Sequence, residues 1–473
     1  MSGWGTIYNT TTRAMSVHSQ RMADLQLQVS TGARIARASD DPSDANRVMH
    51  LASEARTIAS YTENLHNVVQ SMQEGTNALQ EVSSALSRTR ELLTQAVNGT
   101  FNESNRRTVA QEINSLLEQV VSLANHESMG RYVFSGASTG VRPYVVERTD
   151  GDISHVRYEG SYEDMPVPVA NGVLHSGLMV GEEVFRSDDR QDAQFLGTTG
   201  AAAGEATNSV QGDVWLTLTH TTTNYAAGTH GLAAGDDSAD GGTILGEHTL
   251  NVYAATNEIA LDGGPRASFT AGETNVQVTN ADGDVVYVDV SGWSGNDETV
   301  TVTGTGTASI DDGESTTALT SFGGELAVTD ADSGQVLNVD TSGIVREGIE
   351  PVRMPGTYDV FGTLIAVRDV LAGQRGLDTE SRKAFMEESL ASLEEVAVQV
   401  TEQMTSIGAR ISAMDSLQTT LENVKSEAEM EKGRLADADL AQVAADLART
   451  QTLYQTTLAS ASRVLSLSLL DFI

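Results

Sequence analysis

The stretch SDDPSDANRVMHLASEARTIASYTENLHNVVQSMQEGTNALQEVSSALSRTRELLTQAVN, Ser39 to Asn98, decides the fold. Pro42 suits the first position of a helix, Asp41 before it can accept hydrogen bonds from the orphan amides, and Asp44 adds negative charge to the first turn. Leu51, Ile58, Leu65, Met72, Leu79, Leu86 and Leu93 then come at intervals of seven. Val48, Ala55, Thr62, Val69 and Thr76 complete the seam, so residues 43 to about 98 read as one helix, a rod roughly 80 Å long at 1.5 Å per residue. After Asn98-Gly99 the chain turns, and Val109, Ile113, Leu116, Val120 and Leu123 predict a shorter antiparallel helix.

The same period returns near the other end. Leu393, Val400, Ile407, Met414 and Leu421 are again seven apart, with Leu390, Ala397, Met404 and Ile411 beside them. Helices from both halves of the chain can therefore close one bundle. Proline placement agrees: Pro42 stands alone, and the other six prolines fall between 143 and 355, leaving long helical blocks on either side of a non-helical middle. Gly433 and the region Asp437 to Asp439 are expected to break the second rod and cap a terminal helix.

That terminal helix carries one apolar stripe, Leu440, Val443, Leu447, Tyr454, Leu458, Ala461, Leu465, Leu469 and Phe472. At the opposite end Tyr8, Met15, Met22 and Val29 recur every seven residues, with Thr11, His18 and Leu25 between them. A long amphipathic helix most simply means a bundle core. Two terminal helices of about 30 residues standing apart from the bundle bury too little to be firmly ordered alone. They are expected to pair as a stalk and to become ordered when copies assemble, which makes Met15, Met22, Leu25, Val29 and the C-terminal stripe the candidate assembly interface.

The middle is of another kind. Residues 199 to 345 hold 21 acidic residues against one base, Arg266. Val276 and Val278 lead through Asn280-Ala281-Asp282-Gly283-Asp284 into Val286, Val288 and Val290. Leu326 and Val328 lead through Asp330-Ala331-Asp332-Ser333-Gly334 into Val336 and Val339. Alternation interrupted by Asp/Gly turns predicts β-hairpins. The fold class is therefore mainly α, a coiled-coil-like rod built from both halves with an inserted β-rich outer domain, multidomain α+β. The expected domains are 1–42 with 435–473 (terminal stalk), 43–140 with 355–434 (helical bundle), 141–198 with 325–354 (β-rich outer domain) and 199–324 (acidic β-rich insertion).

Composition narrows function by exclusion. The chain has 473 residues, no cysteine and a net charge of −36. Disulfides, thiolate metal sites and cysteine nucleophiles are ruled out. Duplex nucleic acid and anionic membrane surfaces are disfavoured by repulsion. Only three of the 29 basic residues are lysine (Lys383, Lys425, Lys432), a balance suited to high salt, where self-repulsion is screened. No stretch approaches the ~18 apolar residues of a membrane span. The start, Met1 to Thr6, lacks the basic and apolar regions of a secretory signal, which fits a cytoplasmic protein or one exported without a cleaved signal.

The nine histidines show no HxxxH or HxH spacing, so zinc is not expected. His18 reads as a tolerated seam residue rather than a pH switch. Gly304-Thr305-Gly306 lacks the strand, lysine and helix of a phosphate loop. The Asp-rich turns at 236–240, 280–284 and 330–334 match no complete calcium loop and read as solvated turns. No catalytic constellation stands out, so neither an enzyme nor a cofactor is expected.

With those residues in view, Val29-Ser30-Thr31-Gly32-Ala33-Arg34-Ile35 followed by Ala38-Ser39-Asp40-Asp41-Pro42 resembles a stretch of the bacterial flagellin superfamily. Ile407-Gly408-Ala409-Arg410 and the ending Leu465 to Ile473 resemble the same superfamily. Gly130-Arg131-Tyr132-Val133-Phe134-Ser135-Gly136 and the ending Leu469-Leu470-Asp471-Phe472-Ile473 are similar to its hook-associated branch, which joins hook and filament; Tyr358 to Ile365 fits that branch too. The resemblance covers roughly 1–140 and 355–473. It implies export, unfolded and without a cleaved signal, to an extracellular place in the flagellum. It further implies a homo-oligomeric ring resting on the first hook-associated protein, with flagellin added above, terminal helices lining the inner tube, and a cytoplasmic export chaperone on the C-terminal stripe. Filament flagellin is the alternative within the superfamily. A glycan- or calcium-binding module on the acidic insert is the alternative outside it.

Overall fold

The computed structural model describes residues 3–98, 101–170, 172–176 and 179–470. It is an α+β multidomain protein whose helices flank a strand-rich middle. The helices are α1 (Gly3–Thr31), α2 (Pro42–Asn98), α3 (Glu103–Ala124), α4 (Gly181–Phe185), α5 (Ser238–Gly241), α6 (Val360–Ala372), α7 (Thr379–Ala436) and α8 (Leu440–Leu470). Two compact units divide the chain. One gathers Met1–Gln70, Pro166–His175 and Ile411–Ile473, the other Ser71–Met165 and Ser176–Arg410.

Short polar caps start the helices. Asp41 Oδ1 accepts from the Asp44 amide at 3.1 Å as α2 begins on Pro42, the arrangement expected from the sequence. Asn102 caps α3, Asp359 caps α6 and Asp439 caps α8 in the same way. Each such cap satisfies an amide that the helix itself cannot, worth about 1 kcal/mol. The heptad row of α2 is buried from Ile58 onward, with Leu51 half-buried: Leu65, Met72, Leu79 and Leu93 are wholly covered, and Leu86 nearly so. Arg88 pairs with Glu112 and Glu74 with His126, so position falls along α2 as it rises along and past α3, and the two run antiparallel. The covered face of α3 is Val109, Ile113, Leu117, Val120 and Val121; Leu116 and Leu123, expected on it, sit at its margin.

Two features depart from expectation. Gly433 does not break α7, which continues to Ala436. A glycine in a helix interior costs about 1 kcal/mol relative to alanine but leaves the hydrogen-bond ladder intact, and the real stop is at Asp437 and Ala438. The second helical block also contains a break: Gly373, at φ +77, terminates α6 before α7 starts at Thr379. Helix α6 is covered on nearly every side, from Val360 and Phe361 to Val370 and Leu371, and packs on α3 and on the strand Asp152–Tyr158.

In the middle, an eight-stranded antiparallel sheet has a seven-strand path running Arg266–Ser268, Glu258–Leu261, Gly246–Tyr253, Glu298–Ser309, Gly212–Tyr225, Gly348–Met354, Gln194–Phe195, with Thr317–Leu319 added to Glu298–Ser309. Both expected hairpins form: Val276 faces Val288 and Val278 faces Val286, while Leu326 faces Val339 and Val328 faces Leu337. Two apolar clusters fill this region, one around Leu250, Val278, Val286 and Val302, the other around Leu216, Leu245, Val328 and Val352. The turn carboxylates are used locally. Asp284 accepts from the Asn280 side chain at 2.8 Å, and Asp330 accepts from the Asp332 and Ser333 amides. Among the described residues no group of three or more His, Cys, Asp or Glu is arranged to hold a metal ion. No described helix is long and apolar enough to cross a membrane.

Strand Gly348–Met354 carries two buried charges. Arg353 Nε donates to Asp213 Oδ1 at 2.8 Å and its terminal nitrogen to Ser392 Oγ at 2.8 Å, with its guanidinium over the Phe385 and Tyr358 rings. Burial pushes the Asp213 carboxyl up against the pull of Arg353. Glu350 accepts from the Gly197 amide and from the Thr199 amide and hydroxyl; burial pushes it up as well.

Candidate assembly interface

The first unit holds the residues singled out at both ends of the chain. Gly32, at φ +72, closes α1 by donating its amide to Gln28 O at 2.8 Å. A left-handed turn there favours glycine because a Cβ would be strained. The chain then meets the end of α7: the Arg34 amide donates to Ala436 O at 2.7 Å, the Ala438 amide to Gly32 O at 2.8 Å, and Ala33 and Asp437 form a two-residue bridge. Helix α1 thus ends where α8 begins, and the two pack along each other in antiparallel sense.

Arg34 fastens this joint. Its Nε and one terminal nitrogen donate to Leu435 O at 3.1 and 2.8 Å. Its guanidinium also reaches Asp41 at 3.3 Å and Asp44 at 2.5 Å, at the cap of α2. Hydrogen bonding to Asp44 holds the Arg34 charge more firmly than usual, and the Asp44 amide holds the Asp41 carboxyl below its ordinary range. Asp40 accepts from the Ala36 and Arg37 amides, so the loop from 32 to 41 is bonded along its length. One arginine therefore ties the end of α7, the cap of α2 and the turn after α1. The sequence marked Arg34 only as part of a resembling motif; its spacing to Asp41 and Asp44 was the available signal for its role.

The candidate residues divide by exposure. Leu25 and Val443 are buried, both 8% exposed. Met15, Met22, Leu447, Tyr454 and Ala461 are half-buried. Val29, Leu440 and Leu458 are open to solvent at 44%, 52% and 49%. Leu465 and Leu469 lie within α8, their side chains outside the described set, and Phe472 lies outside the described residues. Three exposed apolar residues of these helices escaped the sequence reading: Val17, Leu27 and Leu453. They sit off the seven-residue row that the pattern traced. Burying half of a leucine-sized side chain yields about 1 kcal/mol, so such a set favours a further protein surface without by itself requiring one.

A model of the bacterial flagellin N-terminal helical region matches residues 6–139, which takes in most of α1, all of α2 and α3, Arg34 with Asp41 and Asp44, and the Tyr132 to Gly136 segment. That match takes in under a third of the chain. Flagellar hook-associated protein 3 of Escherichia coli (strain K12) is 31% identical over 122 residues, 26% of this chain and 38% of that protein. Flagellar hook-associated protein 3 of Salmonella typhimurium is 29% identical over 118 residues, 25% of this chain and 37% of that protein. The chain spans under two-fifths of the length of these curated relatives. A crystal structure of flagellar hook associated protein-3 from Legionella pneumophila covers 82% of this chain and 98% of its own, at 16% identity and a TM-score of 0.45. Helix α8 lies outside the flagellin N-terminal match, so its half of the candidate interface rests on the contacts described above.

Proposed function

We propose that this chain is a structural axial subunit of the bacterial flagellum, forming the junction between hook and filament and templating the first flagellins. The observation that carries the reading is the coincidence of the flagellin N-terminal match with α1 to α3 and the Arg34 to Asp44 end of the joint, in a chain whose curated relatives include proteins named hook-associated protein 3. The domains assigned from sequence, 1–42 with 435–473, 43–140 with 355–434, 141–198 with 325–354, and 199–324, serve as stalk, bundle, outer domain and insertion. Met15, Met22, Leu25 and Val29 on α1 join Leu440, Val443, Leu447, Tyr454, Leu458, Ala461, Leu465, Leu469 and Phe472 as the assembly surface. Buried members hold the pair together, and exposed members meet neighbouring copies in a ring. The first hook-associated protein lies on the hook side and flagellin on the filament side. A cytoplasmic chaperone covers the C-terminal stripe until the chain is exported, without a cleaved signal, to the cell exterior. The role is mechanical and asks for no catalysis and no cofactor.

Deleting the gene tests it. Electron microscopy is expected to show bare hooks and mass spectrometry flagellin lost to the medium, while in sheared wild-type filaments this chain is a trace beside flagellin. The second reading, filament flagellin, is favoured by the family of the N-terminal match. It prevails if the chain proves to be the bulk protein of the filament.

A further inference from the structure

Five non-glycine residues among those described have positive φ. Four are aspartate or asparagine (Asp150, Asn257, Asp262, Asp312), whose short polar side chains tolerate the left-handed region. The fifth is Met129, at φ +50. It opens the two-residue turn of a small hairpin in which Ser128 pairs with Arg131 and Glu127 with Tyr132, and Gly130 comes next at φ +76. Positive φ at both central residues is what this tight turn requires, and asparagine followed by glycine is the pairing that meets it with least strain. Methionine meets it badly and gains nothing locally, because its side chain is 59% exposed. A strained residue that also holds an apolar side chain out in water lacks a reason within its own hairpin.

A partly apolar cavity lies elsewhere on the same chain. A cavity of about 510 Å³ is lined by Thr57, Ile58, Tyr61, Ala170 and Leu421, with His50, Ser53 and Glu54 also on its wall. An unbranched thioether fits irregular apolar space, and sulfur packs favourably at the edge of an aromatic ring such as Tyr61. Arg131 beside the knob is opposite in charge to Glu54 beside the socket. Glu127 and Arg131 flank the knob, while His50 and Glu54, 3.9 Å apart, lie beside the socket. A knob and a socket built from different residues of one chain make a heterologous contact, the kind that repeats through an assembly instead of closing in a pair.

We propose that Met129 is a docking knob that enters the Ile58, Tyr61 and Leu421 socket of a neighbouring copy, with Arg131 meeting Glu54. The proposal rests on the reading of the chain as an assembling subunit. Because the chain has no cysteine, Met129→Cys and Thr57→Cys can be introduced into the full chain, singly and together, with no competing thiol. After mild oxidation of sheared flagella, the double variant is expected to give a ladder of disulfide-linked multimers, and each single variant no species larger than a dimer. A double variant indistinguishable from the singles overturns the proposal. Met129→Asn provides an independent arm: it relieves the turn, so the purified chain is expected to melt at a higher temperature while incorporating at least tenfold less. If Met129→Asn incorporates as wild type does while Leu458→Asp is excluded, the knob is refuted and the subunit reading stands. If the wild-type chain is absent from flagella, both fall together.

Discussion

Replacing Leu458 by aspartate separates folding from assembly. Leu458 lies on α8 and is 49% exposed, so roughly half of its side chain is already covered within the chain. Full burial of a leucine stabilises by about 1.5–3 kcal/mol, leaving about 1 kcal/mol to be gained when a neighbouring copy covers the rest. In the isolated chain Leu458→Asp gives up only the covered half, about 1–1.5 kcal/mol, and its carboxylate stays in water. In the assembly the carboxylate enters an apolar contact without a partner. The desolvation cost of an unpaired polar group, at least about 2 kcal/mol, is then added to the lost apolar gain. The sum, about 3 kcal/mol or more per copy, is a factor of at least a hundred in each contact. Cells lacking the gene and carrying the variant would be assayed by quantifying the chain in sheared flagella, with melting of the purified protein in parallel. The expected result is a preserved 43–434 core with incorporation abolished, and an intermediate effect for Leu458→Ala, which forgoes only the apolar gain. Wild-type incorporation of Leu458→Asp would refute the reasoning, as would collapse of the whole fold.

Asp213→Ala strands the Arg353 guanidinium, whose side chain is 2% exposed, and is expected to destabilise the unit by about 3–5 kcal/mol in denaturant titrations monitored by Trp215 fluorescence. The double variant Asp213→Leu with Arg353→Met removes both charges and should recover most of that loss. Asp311 shows a signed pH effect: burial pushes its carboxyl up, but the Ser315 and Ser309 hydroxyls and the Ser315 and Ala331 amides outweigh burial and hold it well below the usual range. Its contribution is therefore complete above the unfolded value near 4 and is lost as pH falls through the lower folded value. Thermal melts should accordingly show the gap between wild type and Asp311→Asn narrowing below about pH 4. Arg34→Gln removes the guanidinium from Leu435 O, Asp41 and Asp44, and hydrogen exchange at the Arg34 and Ala438 amides should accelerate while the amides of Leu79 and Leu86 stay protected.

The range of each interaction decided how much of it was legible in the sequence. The seven-residue rows of α2 and α7 were readable because helical periodicity recurs over many turns. The hairpins at 276–289 and 325–340 were readable because their turns carry Asx and glycine chemistry next to the residues they connect. Helix α6 was not, because a helix covered on all sides shows no amphipathic period, and its stop at Gly373 looks in sequence like the tolerated Gly433. The two glycines differ in backbone: Gly373 is left-handed and Gly433 helical, a distinction set by how the next element packs in space. Strand order was equally hidden, since Gly212–Tyr225 pairs with partners some 80 and 130 residues further on and nothing local announces either.

The candidate interface shows the same division at finer scale. Leu25 and Val443 could be found from period alone because covering them is a matter of which face of a helix they occupy. Val17, Leu27 and Leu453 could not, because an exposed apolar residue off the stripe looks like ordinary surface until the helix that leaves it uncovered is known. Met129 is the extreme case. Methionine carries no strong turn preference, so only its φ of +50 in a two-residue turn reveals that backbone and side chain disagree. Such a disagreement either costs stability for nothing or is offset outside the hairpin. Met129→Asn decides between them, because it corrects the backbone and removes the apolar knob in one substitution. A variant that gains stability and keeps assembly means the strain was idle. One that gains stability and loses assembly means the knob's partner had been offsetting it.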